Sequence, residues 1–359
     1  MPEPFRILVI NPGSTSTKVA VFENADEIFS ESVSHSGDDL KPFPRISDQY
    51  AMRFRVIERT LEEKQADIRR IDAVVGRGGL LRPMVGGTYL VNDRMLEDLK
   101  KAERGEHASN LGGLIANEFA RKIGVLAYIV DPVVVDEMEP VAKVSGLPEL
   151  ERRSIFHALN QRAVAKKAAE KLGKPYDTLK LVVAHLGGGI SIGCHKNGKV
   201  VDVNNALDGD GPFSPERSGG LPSGQLVDLC FSGNYSIDEI KKKLVGQGGM
   251  TAHLGTNDLR KVDDRIRSGD TRARLVVDAM VYQIAKHIGA SAVVLNGRVD
   301  AIVISGGLAM DAAFIGGITE KVNWIARVLV YPGEKEMHAL AEGVLEVLKK
   351  GTEPKTYVG

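Results

Sequence analysis

Residues 7–19 read Ile7-Leu8-Val9-Ile10-Asn11-Pro12-Gly13-Ser14-Thr15-Ser16-Thr17-Lys18-Val19: an apolar strand, a turn rich in glycine and hydroxyls, and the start of a second strand. Residues 181–193 read the same way, Leu181-Val182-Val183-Ala184-His185-Leu186-Gly187-Gly188-Gly189-Ile190-Ser191-Ile192-Gly193. The second copy begins close to half a chain length after the first. Short apolar runs bounded by turn signals suit strands buried on both faces. Two halves that each open on such a hairpin predict a duplicated domain. Chance can also place two strand–glycine–strand segments in a glycine-rich chain.

Outward from these hairpins, strand-like and helix-like segments alternate, which predicts an α/β architecture. Strands are expected at 7–10, 18–23, 73–76, 127–130, 181–184, 190–195, 301–305 and 327–330. Helices are expected at 52–64, 112–122, 161–172, 237–244, 272–287 and 335–349. The stripe Leu275, Val276, Ala279, Met280, Ile284 and Ile288 has three-and-four spacing and reads as core.

The 359 residues carry 47 Lys+Arg against 47 Asp+Glu. That balance excludes a broadly basic nucleic-acid binder and an acidic disordered chain. No apolar run reaches the ~18 residues that span a bilayer, and the opening Met-Pro-Glu-Pro-Phe-Arg reads as lacking a secretory h-region. Cys194 and Cys230 form no C-x-x-C pair and suit a reducing, cytoplasmic setting. Glycine is in excess, 39 of 359 residues against a usual ~7%. The glycines cluster after apolar runs, at 76–79, 187–189 and 306–307. A backbone without Cβ atoms can come close to a phosphate.

The sequence lacks a P-loop, a G-x-G-x-x-G turn and zinc spacings. The turn with Ser14, Ser16 and Lys18 can still ring an anion through backbone N–H groups and hydroxyls, and Asn11 can hold a hydrated metal. A Ser/Thr-rich turn without a ligand reads equally well. Gly187, Gly188 and Gly189 suit phosphate or a tight bend, and Gly306 and Gly307 could let an adenosine lie on the backbone. A nucleotide in a cleft between the halves, with one hairpin from each, is the natural arrangement. Arg77, between Gly76 and Gly78, looks aimed into a cleft. Arg217 lies in a long turn-rich loop, where arginines are more often surface ion-pair partners. His157 at a helix start and His107 are more commonly cap or core residues. Asp131 follows an apolar strand, a position shared by active-site carboxylates and helix caps.

In this order the motifs resemble the acetate and butyrate kinase family, of the superfamily that includes sugar kinases, chaperone ATPases and actin. The resemblance rests on Asn11 to Lys18, Arg77, Asp131, Phe156-His157, His185 to Ser191, Pro215-Glu216-Arg217, Ser305-Gly306-Gly307 and Glu336. Within the family, Asn-Pro-Gly-Ser-Thr-Ser-Thr-Lys, His-Leu-Gly-Gly-Gly, residues 107–112 and residues 204–213 resemble the butyrate kinase branch. Gly188 stands where the acetate kinases have an asparagine.

The resemblance implies two ribonuclease-H-like, actin-like ATPase domains. One takes 1–152 plus 337–359. The other takes 153–336 and most of the nucleotide site. It implies ATP-dependent phosphorylation of butyrate or isobutyrate to the acyl phosphate, with acetate or propionate as the alternative. A sugar kinase or an ATP-gated scaffold is a more distant reading. Arg77, Asp131, His157 and Arg217 would be catalytic, with Asp131 orienting Arg77, His157 or a metal-bound water. Asn11, Ser14, Ser16, Lys18, His185 and the glycines would bind nucleotide, and His107 and Phe156 the acid. Asn11 and Glu336 would hold Mg²⁺. A homo-oligomer is also implied.

Overall fold

The apolar runs at 7–10 and 181–184 become central strands of two separate sheets in the computed structural model, which describes residues 3–359. Twelve strands run in order: β1 (Arg6–Pro12), β2 (Ser16–Glu23), β3 (Asp26–Ser34), β4 (Ala73–Arg77), β5 (Thr88–Leu90), β6 (Leu126–Val130), β7 (Lys180–Leu186), β8 (Ile190–Lys196), β9 (Lys199–Val203), β10 (Ala301–Gly306), β11 (Val328–Pro332) and β12 (Lys355–Thr356). The first sheet has the order β12-β5-β6-β4-β1-β2-β3, and the second β11-β10-β7-β8-β9.

The duplication is explicit in the pairing. β1 is antiparallel to β2 and parallel to β4, which is parallel to β6. β7 is antiparallel to β8 and parallel to β10, which is parallel to β11. A third antiparallel strand, β3 or β9, completes each meander.

Successive side chains of a strand face opposite ways. Leu181 and Val183 therefore pack on Val164, Ala165 and Ala168 of the helix Ala158–Leu172. Val182 and Ala184 pack on Met280, Ile284 and Ile288 of the helix Thr271–Val294. In the first sheet Leu8 and Ile10 join Ile115 and Phe119 of the helix Asn110–Ile123, and Ile57 and Leu61 of the helix Tyr50–Glu63. The helix Glu336–Lys350 packs on β1, β4 and β6.

Four strands lack the apolar runs that marked the others. β3 lies at a sheet edge; its first three residues are exposed, and beyond them exposed Ser30, Ser32 and Ser34 alternate with half-buried Phe29, Glu31 and Val33. β5, β9 and β12 are short. The long helix continues past the expected end at 287 to Val294, because Ile288 and Ala292 extend its buried stripe.

The chain divides into two units, residues up to Val135 with Lys335–Gly359, and Asp136–Glu334. The expected boundary after 152 is displaced because 136–152 are tied to the second unit. Arg152 bonds Asp202 at 2.9 Å and Asp210 at 3.2 Å, and the Glu139 N–H donates to the Val201 carbonyl at 2.9 Å. Lys335 and Glu336 go with the first unit. Among the described residues no helix is long and apolar enough to cross a membrane.

Candidate active site

In the first unit, pleating sorts the β1–β2 hairpin into two faces. Asn11 and Lys18 are a cross-strand pair, as are Pro12 and Thr17, so Asn11 with Lys18 and Thr17 with Pro12 face opposite ways. On the Asn11 face, the Asn11 amide donates to Glu336 Oε2 at 2.8 Å. The same oxygen accepts from Arg77 Nη1 at 2.6 Å. Residues far apart in sequence, at a hairpin, a strand end and a helix N-terminus, thus share one buried carboxylate. Arg77 is thus oriented by Glu336. Asp131 accepts the Gly87 N–H at 2.7 Å and sits at φ 39°. A non-glycine residue held there is a sparsely populated geometry typical of functional sites. Ser14 is exposed at the turn, while Ser16 and Lys18 are half-buried. His107 is held in its own turn, with Nδ1 2.7 Å from Ser109 Oγ.

On the Thr17 face lies Arg53, a fully buried residue that sequence reasoning did not find. Its Nη1 donates to the Ser16 carbonyl at 2.8 Å and to Thr17 Oγ1 at 3.0 Å. Its Nη2 donates to the Ser14 carbonyl at 3.2 Å, and both Nη2 and Nε reach Gln49 Oε1. All five N–H groups have partners, and none of those partners is an acid. Thr17 Oγ1 in turn lies 2.8 Å from His35 Nε2. Burial and the Arg53 charge hold the His35 imidazole below its ordinary value. The cation therefore stands directly behind the hairpin. Its signal was positional: Arg53 occupies the helix stripe of Ile57, Thr60 and Leu61, where an apolar residue is the rule.

In the second unit the β7–β8 turn carries the three glycines, with the Gly187 N–H donating to the Gly189 carbonyl at 3.1 Å. Gly189 serves Arg217: a Cβ there would occupy the position of the guanidinium. Arg217 Nη1 donates to the Ala206 carbonyl, and its backbone N–H donates to Ser214 Oγ at 3.1 Å. Burial pulls this guanidinium below its ordinary value, and Glu216 and Asp208 act in the opposite sense. Arg217 is thus a packed, oriented cation and not a surface ion-pair partner. The loop holding it is pinned by Asn204, which accepts the Ile192 N–H at 2.7 Å and donates to the Ile190 carbonyl at 3.0 Å.

His157 precedes the helix Ala158–Leu172 without a side-chain cap. Its Nδ1 instead lies 2.9 Å from Ser191 Oγ, and its ring stacks on His185 with centroids 3.9 Å apart. His185 is completely buried, with Nδ1 2.8 Å from Asn160 Oδ1 and Nε2 3.3 Å from Glu334. It therefore supports His157 and the glycine turn from behind. Phe156 is buried beside His157 in sequence.

Behind them His195 lies between Gln161 and Tyr176, and burial, with the Arg162 charge, pulls its imidazole down to about 3. An unfolded imidazole titrates near ~6.5. Between these values the folded chain binds fewer protons than the unfolded one. The contribution of His195 is complete above about pH 6.5 and is lost as pH falls toward 3. Urea midpoints measured over this range should fall less steeply in His195→Asn than in the unaltered protein; parallel profiles would refute it.

Gly187, Gly188, Glu216, Asp258, Gly307 and Asp311 line a cavity of about 710 Å³ within the second unit. Gly306, at φ +95°, turns the end of β10 where a Cβ would meet the Leu186 carbonyl, and Gly307 beyond it faces open space. The two glycine turns expected to bind nucleotide thus border one cavity. A cavity of about 760 Å³ shares Met310 and Asp311 but none of these glycines.

The sequence pattern of the acetokinase family matches residues 148–325. Butyrate kinase 2 of Clostridium acetobutylicum is 57% identical over 353 residues, 98% of this chain and 99% of that protein. The crystal structure of Porphyromonas gingivalis acetate kinase superposes with a TM-score of 0.78 at 22% identity, covering 96% of this chain and 100% of that one. A propionate kinase from Francisella tularensis gives 0.73 at 20% identity, covering 94% and 98%. These two structures establish the fold, the duplicated actin-like ATPase architecture. Identity of 57% sustained from end to end establishes more: the chain belongs to the acetokinase family.

Proposed function

We propose that the protein transfers the γ-phosphoryl group of ATP to the carboxylate of a short-chain acid, butyrate or isobutyrate foremost, reversibly giving the acyl phosphate and ADP. The observation that carries this is the end-to-end 57% identity to a butyrate kinase. The chemistry suits the residues. A carboxylate is ionised near pH 7, since carboxyls titrate around ~4, so it needs no general base. It needs relief from repulsion by the phosphates, and alignment. Arg77 and Arg217 supply the relief, and His157 donates to an equatorial oxygen of the transferring group. Asp131 shapes the strand end beside Arg77. Ser14, Ser16, Lys18 and the glycine turns bind the nucleotide, and His107 and Phe156 border the acid.

Mg²⁺ fits the donor set. Among the described residues no three His, Cys, Asp or Glu gather around a metal position, but the Asn11 amide and the Glu336 carboxylate lie side by side. Asn11 and Glu336 would hold an ion that keeps most of its waters, and it would supply charge neutralisation to the nucleotide phosphates.

An acid panel of acetate, propionate, butyrate and isobutyrate, with Mg-ATP and hydroxylamine trapping, tests the reading. The largest kcat/KM should fall on a four-carbon acid; a two-carbon preference would shift the assignment to acetate, and no trapped product would end it. Gly189→Ala should lower kcat by ~10²-fold by displacing Arg217. The same change at Gly188 should cost far less, because a Cβ there meets the far end of the flexible Glu216 side chain, with Oε2 at 3.3 Å. Equal losses would contradict the packing role of Gly189. Cytoplasmic location and homo-oligomerisation complete the reading. Free Cys194 and Cys230 support the first, and exposed Val227, Phe231 and Ile237 the second, which sedimentation would test.

A further inference from the structure

We propose that Gln161, acting through Ser191, holds His157 as the neutral tautomer with its proton on Nε2. It is a positioning residue: the donor role of His157 rests on the function proposed above, and the tautomer assignment does not.

The Ser191 carbonyl can only accept. Gln161 Nε2 lies 3.0 Å from that carbonyl and 2.8 Å from Ser191 Oγ. A flipped amide would set oxygen against oxygen, so the carbonyl fixes the amide's direction. Oε1 then points the other way, 3.0 Å from His195 Nε2, which must carry a hydrogen. The neutral His195 ring accepts at Nδ1 from the Tyr176 hydroxyl, 2.7 Å away. Every direction agrees.

The same logic reaches His157. Ser191 is fully buried, and its Oγ has three neighbours. Gln161 Nε2 and the His157 backbone N–H, 3.5 Å away, are both donors. The hydroxyl hydrogen therefore goes to the third neighbour, His157 Nδ1, at 2.9 Å. An Nδ1 that accepts leaves the ring proton on Nε2. Stacking on His185 fixes the plane of the ring, and with it the direction of that N–H.

The arrangement is built by two periodicities. Ser191, Gly193 and His195 alternate along β8 and share one face. His157 and Gln161 are one helical turn apart. Gly193 makes the fit possible, since a Cβ there would collide with Gln161 Oε1.

The test is ¹⁵N NMR of the full-length chain labelled at histidine, without ligands, near about pH 8, above the ordinary imidazole range. The His157 signals are assigned by their loss in His157→Gln. The expected pattern is a pyrrole-like Nε2 and a pyridine-like Nδ1; the reverse pattern overturns the proposal. In Gln161→Glu the new carboxylate takes the Ser191 hydroxyl hydrogen, and the pattern should reverse. An unchanged pattern in that variant, correctly folded, also overturns it. If that variant does not fold, Ser191→Ala should move both signals toward their average, and retention of the wild-type pattern there counts against the proposal. Turnover gives a separate readout: either folded variant should lose roughly 10- to 100-fold in kcat, the usual effect of unseating an oriented imidazole, with KM for ATP unchanged. Failure of the acid panel would leave the NMR result standing, and failure of the NMR result would leave the acid panel standing.

Discussion

Alanine in place of Arg217 should lower kcat by about 10²- to 10³-fold and leave ATP affinity close to that of the unaltered protein. The size follows from preorganisation. The guanidinium is packed over Gly189 and anchored on the Ala206 carbonyl before any ligand arrives. Its cost of ordering is therefore met by folding, and in the proposed reaction its charge would act in full as a carboxylate nears a polyanionic phosphate. Burial pulls its pKa down, yet from so high a starting value that the group stays charged. Lysine should not restore activity, because an ammonium lacks the planar fork and would lose the Ala206 anchor. Steady-state kinetics with butyrate, alongside calorimetric titration with ATP, reads both quantities. Turnover retained in Arg217→Ala would remove the role assigned to this residue.

The second large effect is on stability and nucleotide binding together. Arg53→Met leaves the carbonyls of Ser14 and Ser16, Thr17 Oγ1 and Gln49 Oε1 without their shared donor. Of these, the Ser16 carbonyl keeps the Gly13 N–H and Thr17 Oγ1 keeps His35, while a buried acceptor left without any partner, as Gln49 Oε1 would be, costs ~1–3 kcal/mol. With partial relaxation and water entry the total should be roughly 3–5 kcal/mol, read as a drop in urea midpoint at constant slope. The hairpin then loses both its support and the positive charge behind it, so ATP should bind more weakly. Arg53→Lys should recover little, since three donors on a flexible stem cannot replace five in a fixed fork. Unaltered midpoint and ATP affinity in Arg53→Met would show that the hairpin stands without this residue.

The reach of the sequence is clearest at the hairpins. The runs 7–10 and 181–184 had to be strands buried on both faces, and their shared turn chemistry announced the duplication. The edge strand β3 was invisible because one face meets solvent and its charged and hydroxyl residues carry no apolar run. Arg77, set between glycines, could be picked from its surroundings in sequence, whereas for His157 and Arg217 a helix cap and a surface ion pair were the commoner readings and their roles came from family resemblance. Glu336 was reached through family resemblance, which also grouped it with Asn11, and its ion pair with Arg77 was not legible at all. Arg53 looked like one more charge on an amphipathic helix, and only its place on the buried stripe distinguished it.

By itself the sequence determined the alternation of elements and the two glycine-bearing hairpins, while the chemistry of a kinase of carboxylates entered through family resemblance. The first two follow from local pattern, since periodicity and turn residues act over a few positions. The tertiary structure alone decided which partners complete each group. It set Arg217 into the space left by Gly189, placed an unpaired-by-acid cation behind the first hairpin, and ran Ser191, Gln161 and His195 into one directed chain. Such partners are brought together by strand pairing and helix packing across long stretches of chain. Their hydrogen-bond directions are then forced, because a buried carbonyl can only accept and a buried donor must find an acceptor.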